Sequence, residues 1–218
     1  MKNIRLQYSP WEEMSAEVQA LFVEWMDNDP QKGQSFYELY FYWYNIPHEL
    51  GHILRGYYSS RGDTNWQEEN AVNSFAVAYW KARGESHRLQ QFHQLVRSAF
   101  SKLEDPVPSG EDRSSYLDEH YDELVPIPSA YGHFQFSMVL NALEEKQSFI
   151  QTLHSLITTQ AIEATSPHSM PYPEITSDLP YQIVSDMRNY LAAYKVELPD
   201  IEVIREFSTN LQFVTWDD

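Results

Sequence analysis

No cysteine occurs among the 218 residues, which excludes disulfides and thiolate metal sites. Any metal must therefore be held by histidine and carboxylate, and a cysteine-free chain agrees with a cytoplasmic location. An uninterrupted apolar run of about 18 residues is also missing, so no segment is expected to span a bilayer. The opening Met1-Lys2-Asn3-Ile4-Arg5-Leu6 lacks the apolar stretch of a secretory signal. Basic side chains are scarce: 15 Lys and Arg face 32 Asp and Glu, for a formal charge of −17. Such a chain has no basic surface for a phosphate backbone or an anionic membrane, so neither nucleic acid nor membrane is an expected partner. Internal repeats and low-complexity tracts are absent as well.

What is present is a globular composition. Hydrophobic residues make up 42% and aromatic residues 15%, enough for a sizeable core. The chain reads as a single domain over 1–218 with a division into two lobes, 1–105 for a metal site and 106–218 for a helical lobe. The boundary is the turn-rich Asp105-Pro106-Val107-Pro108-Ser109-Gly110. Ser9-Pro10 looks like a helix start, followed by Val18, Leu21, Phe22 and Trp25 at helical spacing. The nearly all-aromatic run from Phe36 to Tyr44 fits a buried helix or strand, with helix preferred. Further helices are expected from Thr64 to about Arg83 and from Glu85 to Leu103. The latter is an amphipathic stretch with Leu89, Phe92, Val96, Ala99, Phe100 and Leu103 on one side. A long helix is expected from about Ala130 to Thr158, and a last one from Tyr181 to Tyr194. Four prolines between Thr165 and Pro180 predict an irregular loop, and the tail after Pro199 fits helix or strand. The expected class is mainly α, with at most a small sheet.

The most specific motif is His48-Glu49-Leu50-Gly51-His52. Histidines four apart leave the same face of a helix about one turn from each other, which suits two positions on a tetrahedral metal. Glu49 stands beside the first histidine, where its carboxylate can reach a metal-activated water without ligating the metal. Gly51 suits a helix passing close to a neighbour, Ile53 and Leu54 supply apolar anchors, and Asn45 with Pro47 resembles a helix start. A catalytic zinc needs a third protein ligand. The segment Trp66-Gln67-Glu68-Glu69-Asn70-Ala71-Val72-Asn73-Ser74-Phe75-Ala76 offers one on a following helix. Glu69 and Asn73 stand at i and i+4, so one can ligate while the other orients a histidine. Glu68 is the rival, because periodicity alone does not choose between adjacent glutamates.

His48-Glu49-Leu50-Gly51-His52 followed by a helical glutamate resembles the gluzincin branch of the zincin metallopeptidases. The Glu69-x-x-x-Asn73-x-Phe75-Ala76 pattern is most similar to the ImmA/IrrE family of bacterial intracellular proteases. The resemblance spans about residues 45 to 80. It implies a zincin-like helical core with two metal-binding helices, zinc as cofactor, His48, His52 and Glu69 as ligands, Glu49 as general base and a protein or peptide as substrate. The chain departs from the family in carrying Pro47 before the first histidine, in its short interhelical loop and in continuing Val77-Ala78-Tyr79-Trp80 after Ala76.

Such sites add a hydrogen-bond donor for the developing oxyanion. Tyr131 and His133 are the first choices, because Ser129-Ala130-Tyr131-Gly132-His133 sits at an expected helix start. His120, Tyr121, His168 and Tyr172 are further candidates, whereas His87, His93 and His154 read as structural or exposed. Besides a zinc peptidase, the motif is compatible with a zincin-like protein that binds without catalysis, or with an all-α interaction protein carrying an accidental His-Glu-x-x-His. Glu49 favours the first, since a purely structural site has no use for a base.

Overall fold

Ser15, rather than Ser9, starts the first long helix. In this computed structural model, which describes residues 4–59, 62–157, 174–205 and 214–216, Pro10 leads only into a short 3-10 turn, Trp11–Glu13. Helix α1 then runs Ala16–Trp25, with the Ser15 side chain accepting from the Val18 amide. Asp27 and Asn28 turn the chain through left-handed backbone, and Asp29 caps α2, Pro30–Glu38, with Pro30 in the first turn.

The aromatic run is helical, but it is α-helical only as far as Glu38. Leu39–Tyr44 forms π-type turns that join α2 directly to α3, Asn45–Tyr58. Asn45 therefore caps nothing, and Pro47 lies inside a continuous helical run rather than at its start. The wide turns come immediately before Pro47, which lacks an N–H and crowds the preceding carbonyls of a regular α-helix. All six residues of the segment are buried, because elements pack around it on every side. Trp43 stacks on Trp80 at 4.4 Å, Tyr44 stacks on Phe92 at 4.5 Å, and the Tyr42 hydroxyl accepts from the Trp11 amide.

Thr64 caps α4, Asn65–Ala82, through a reciprocal capping box with Gln67. Helices α3 and α4 pack closely at Gly51, where a Cβ would stand 3.1 Å from Val72. Helix α5, Ser86–Phe100, buries Leu89, Phe92, Val96 and Ala99, the stripe expected from its periodicity. The polar segment after Gly110 holds an unanticipated helix, α6, Arg113–Leu124, capped by Asp112 and kinked at His120. The long helix expected from Ala130 to Thr158 is two helices: α7, Pro128–Glu144, and α8, Phe149–Leu156. The break comes where Ser148 and Gln151 form a second capping box, a start signal that overrides the continuing helical pattern. Helix α9, Leu179–Ala192, matches the last expected helix to within about two residues.

The tail is strand. β1, Ile4–Tyr8, is central in a three-stranded sheet, parallel to β2, Ile201–Arg205, and antiparallel to β3, Val214–Trp216. Ile4 pairs with Ile201 on one side and Trp216 on the other, while Ile4, Leu6 and Tyr8 turn inward. The main core draws residues from β1 through α9, on both sides of the 105–110 loop, and Leu117, Leu124, Phe134 and Met138 form a satellite beside it. Among the described residues no helix is long and apolar enough to cross a membrane.

Candidate metal centre

His48 and His52 leave the same face of α3, and Glu69 reaches them from the facing turn of α4. Their atoms converge: His48 Nε2 lies 3.3 Å from His52 Nε2, and Glu69 Oε2 lies 3.4 Å from the first and 3.7 Å from the second. A tetrahedral ion with bonds of ~2.0–2.1 Å sets neighbouring ligand atoms about 3.3–3.4 Å apart. The triangle is thus of the size a small tetrahedral cation needs, and the three residues could hold a metal ion. His48 and Glu69 are buried, and His52 is partly open.

The outer nitrogens fix which atoms face the gap. Asn73 donates through Nδ2 to the Glu69 carbonyl and to Gln135 Oε1, so its Oδ1 faces His48 Nδ1 at 3.1 Å and accepts from it. The Tyr44 hydroxyl donates to the same oxygen at 2.7 Å. His52 Nδ1 lies 2.7 Å from Glu68 Oε1. Each ring therefore spends its Nδ1–H outward and turns an Nε2 lone pair inward, the tautomer a ligand requires. Glu68 is the outer partner of His52, while Glu69 is the carboxylate of the cluster. Glu69 and Asn73, at i and i+4, place one carboxylate in the cluster and one amide oxygen against His48 Nδ1.

Three inward acceptors without a donor repel one another unless a cation or a proton joins them. Without metal, a proton on His52 Nε2 would join them. Burial opposes that charge, but Glu69 and the hydrogen bond to Glu68 hold the His52 pKa well above its ordinary value. Burial and the neighbouring His52 charge lower His48 to about 4. For Glu69, burial alone would raise the pKa, but the His52 charge and hydrogen bond, with His48 and Gln135, hold the carboxyl well below the usual range. Glu49 lies beside the cluster, accepts from Asn45 Nδ2 at 3.0 Å, and is raised by burial to about 7.

Donors from α6 and α7 complete the site. The Tyr121 and Tyr131 hydroxyls each donate to Glu69 Oε1 at 2.9 Å, and Gln135 Nε2 donates to Glu69 Oε2 at 2.7 Å and to the Tyr131 hydroxyl at 2.8 Å. Of the two first-choice donors, the structure brings Tyr131 to the cluster and not His133. Two positions along a helix are about 200° apart, so both cannot face one point. His133 instead packs on Phe100 and accepts from Arg113, beside Asp105. His120 lies on the outer side of the α6 kink against Tyr116 and Glu123. His87 and His154 are exposed and His93 is half-buried, while His168 and Tyr172 lie outside the described residues.

The triad opens into a cavity of about 540 Å³ lined also by Glu49, Glu68, Tyr121, Tyr131 and Gln135. Sequence reasoning missed Gln135 and Tyr44. A glutamine one turn after Tyr131, buried among Phe134, Phe136 and Met138, was the signal available for the first. Comparison of the chain with protein-family models, with curated proteins and with solved structures finds no match.

Proposed function

We propose that this chain is a zinc-dependent metallopeptidase acting in the cytoplasm on a protein or peptide, of the gluzincin kind and nearest in its motif to the ImmA/IrrE proteases. The observation that carries this reading is the triangle of inward-facing His48 Nε2, His52 Nε2 and Glu69 Oε2, of tetrahedral size, with Glu49 beside it in an open cavity. Borderline nitrogen and carboxylate ligands suit zinc, and three protein ligands leave the fourth position of a catalytic site. Bound there, zinc would supply Lewis acidity and lower the pKa of a water towards ~7.

The chain's own residues supply the rest. Glu49, beside the triad and held by Asn45, would take a proton from the attacking water and return it to the leaving amine. Asn45 holds one of its oxygens and so sets the direction of the other. Tyr131 and Tyr121 are hydroxyl donors on the Glu69 carboxylate, and either can turn from Glu69 Oε1 to a developing oxyanion.

The test is hydrolysis of unstructured protein and peptide substrates by the zinc-loaded chain, with Glu49→Gln alongside. Cleavage by wild type, abolished by chelation and reduced at least ~100-fold in a variant that still binds zinc, supports the reading. Equal turnover in Glu49→Gln contradicts it. Zinc binding without turnover on any substrate points instead to a binding protein built on the same site.

A further inference from the structure

Asn73, Gln135, Tyr131 and Glu69 form a hydrogen-bond chain whose direction is fixed from one end. The Glu69 carbonyl can only accept, so Asn73 turns its Nδ2 to it, at 2.8 Å. The same amide gives its second hydrogen to Gln135 Oε1 at 3.1 Å. That contact turns Gln135 Nε2 towards Glu69 Oε2 at 2.7 Å and the Tyr131 hydroxyl at 2.8 Å. Tyr131 therefore accepts from Gln135, and its own hydrogen goes to Glu69 Oε1 at 2.9 Å. Tyr121, from α6, donates to the same oxygen at 2.9 Å.

The accepting capacity of the Glu69 carboxylate follows from these bonds. An ionised carboxylate accepts at about four lone-pair sites, shared equally between its oxygens. Hydroxyls fill both sites on Oε1, and the Gln135 amide fills one on Oε2. A single site remains, on the oxygen that lies 3.4 Å from His48 Nε2 and 3.7 Å from His52 Nε2. Each histidine adds one inward lone pair, because its Nδ1 is engaged outward. Carboxylates elsewhere bind cations through one oxygen or through both. Large, oxygen-seeking cations use both, to reach about six to eight ligands. Here phenols carried by two helices keep the second oxygen occupied, so the protein presents three lone pairs to an ion and leaves the fourth position of a tetrahedron open.

We infer that Tyr121 and Tyr131 are positioning residues that hold Glu69 to a single metal bond, keep the bound ion four-coordinate and so favour zinc over Mn²⁺ and Ca²⁺. The inference rests on the metal reading of the triad and not on peptide cleavage. The test replaces zinc with Co²⁺, whose visible absorption is intense in a four-coordinate site and weak at higher coordination. Wild type, Tyr121→Phe, Tyr131→Phe and the double variant are compared, with absorbance taken per bound cobalt and the fold checked by circular dichroism. Wild type is expected to give the intense band. The double variant should give a band at least about threefold weaker, as Oε1 joins the ion, and its zinc-to-manganese affinity ratio should fall about tenfold. Where the double variant does not fold, Tyr121→Phe alone decides, since it frees one Oε1 site and should weaken the band in the same direction. A weak band in wild type, an undiminished band in the folded variants or an unchanged affinity ratio would overturn the inference and leave the metal centre standing. Cobalt lost from the variants at constant absorbance per remaining ion would also overturn it, by showing that the tyrosines only support the fold. A wild-type chain that binds neither zinc nor cobalt would overturn it together with the metal centre. The expected weakening, in a chain that cuts no peptide, would uphold it and sink the peptidase reading separately.

Discussion

Glu68 and Asn73 each touch the nitrogen of a histidine that faces away from the triad, and that contact fixes the tautomer a ligand requires. Glu68 is the more tractable to test, being half-exposed, whereas removing Asn73 would also take the acceptor from the Tyr44 hydroxyl and the donor from Gln135 Oε1 in the interior. Glu68→Ala should weaken zinc binding about 10- to 100-fold in competition with a chelating dye, with the fold intact. Unchanged affinity would mean that His52 is oriented by packing alone. Glu49 yields a pH prediction for the metal-free chain. Its folded pKa, about 7, lies above its ordinary value, so its contribution to stability is fully present below about pH 4.5 and lost as pH rises through about 7. Glutamine mimics the protonated form. Chelator-treated Glu49→Gln should therefore match wild type near pH 4.5 and exceed it by about 1–2 kcal/mol at pH 8 in urea denaturation, a figure reduced for screening in the open cavity. A difference that is constant with pH would contradict the burial of Glu49. At this scale the sequence was readable where contacts are local: His48 and His52 follow from helical spacing, whereas the choice of Glu69 over Glu68 rested on the family resemblance and not on periodicity. Gln135 reaches Glu69 across 66 residues of sequence, and no periodicity reveals such a contact.

Between elements, the separation of α3 and α4 sets the size of the triangle, and Gly51 sets that separation. A methyl there would press on Val72 at 3.1 Å and on Phe75 at 3.3 Å, so the neighbours must give by a few tenths of an ångström. Alanine also favours the helix over glycine by about 1 kcal/mol. Gly51→Ala should thus change stability by no more than about 1 kcal/mol while lowering zinc affinity several-fold. Val72→Ala in the same chain should restore the affinity, and failure to do so would separate helix spacing from metal geometry. Element types were legible wherever a stripe or a cap was strong, as for α4, α5 and α9. The π-type turns before Pro47 were not, because an all-aromatic run has no polar face to mark a period. Nor was the break at residues 145–148, where Ser148 and Gln151 outweigh a pattern that otherwise continues. β1 escaped notice because its five residues become a strand only through partners nearly the whole chain away.

Across the whole molecule, the site depends on the chain folding back on itself. α3 and α4 from the first half bring the triad, and α6 and α7 from the second bring Tyr121, Tyr131 and Gln135 against Glu69. A ligand that binds only the folded state stabilises that whole arrangement, by about 4 kcal/mol at a thousandfold excess over its dissociation constant. Zinc should accordingly raise the thermal midpoint of wild type and leave that of His48→Ala unmoved in the same scan. The net charge of −17 assists cation capture in general and names no metal, so identity must be read directly. The most direct measurement is elemental mass spectrometry on protein purified without a chelating resin, comparing wild type, His48→Ala and Glu69→Ala. The account predicts close to one zinc per chain in wild type and almost none in either variant. Wild-type protein that holds no zinc even after incubation with it, or a Glu69→Ala variant that keeps it, would contradict the central claim.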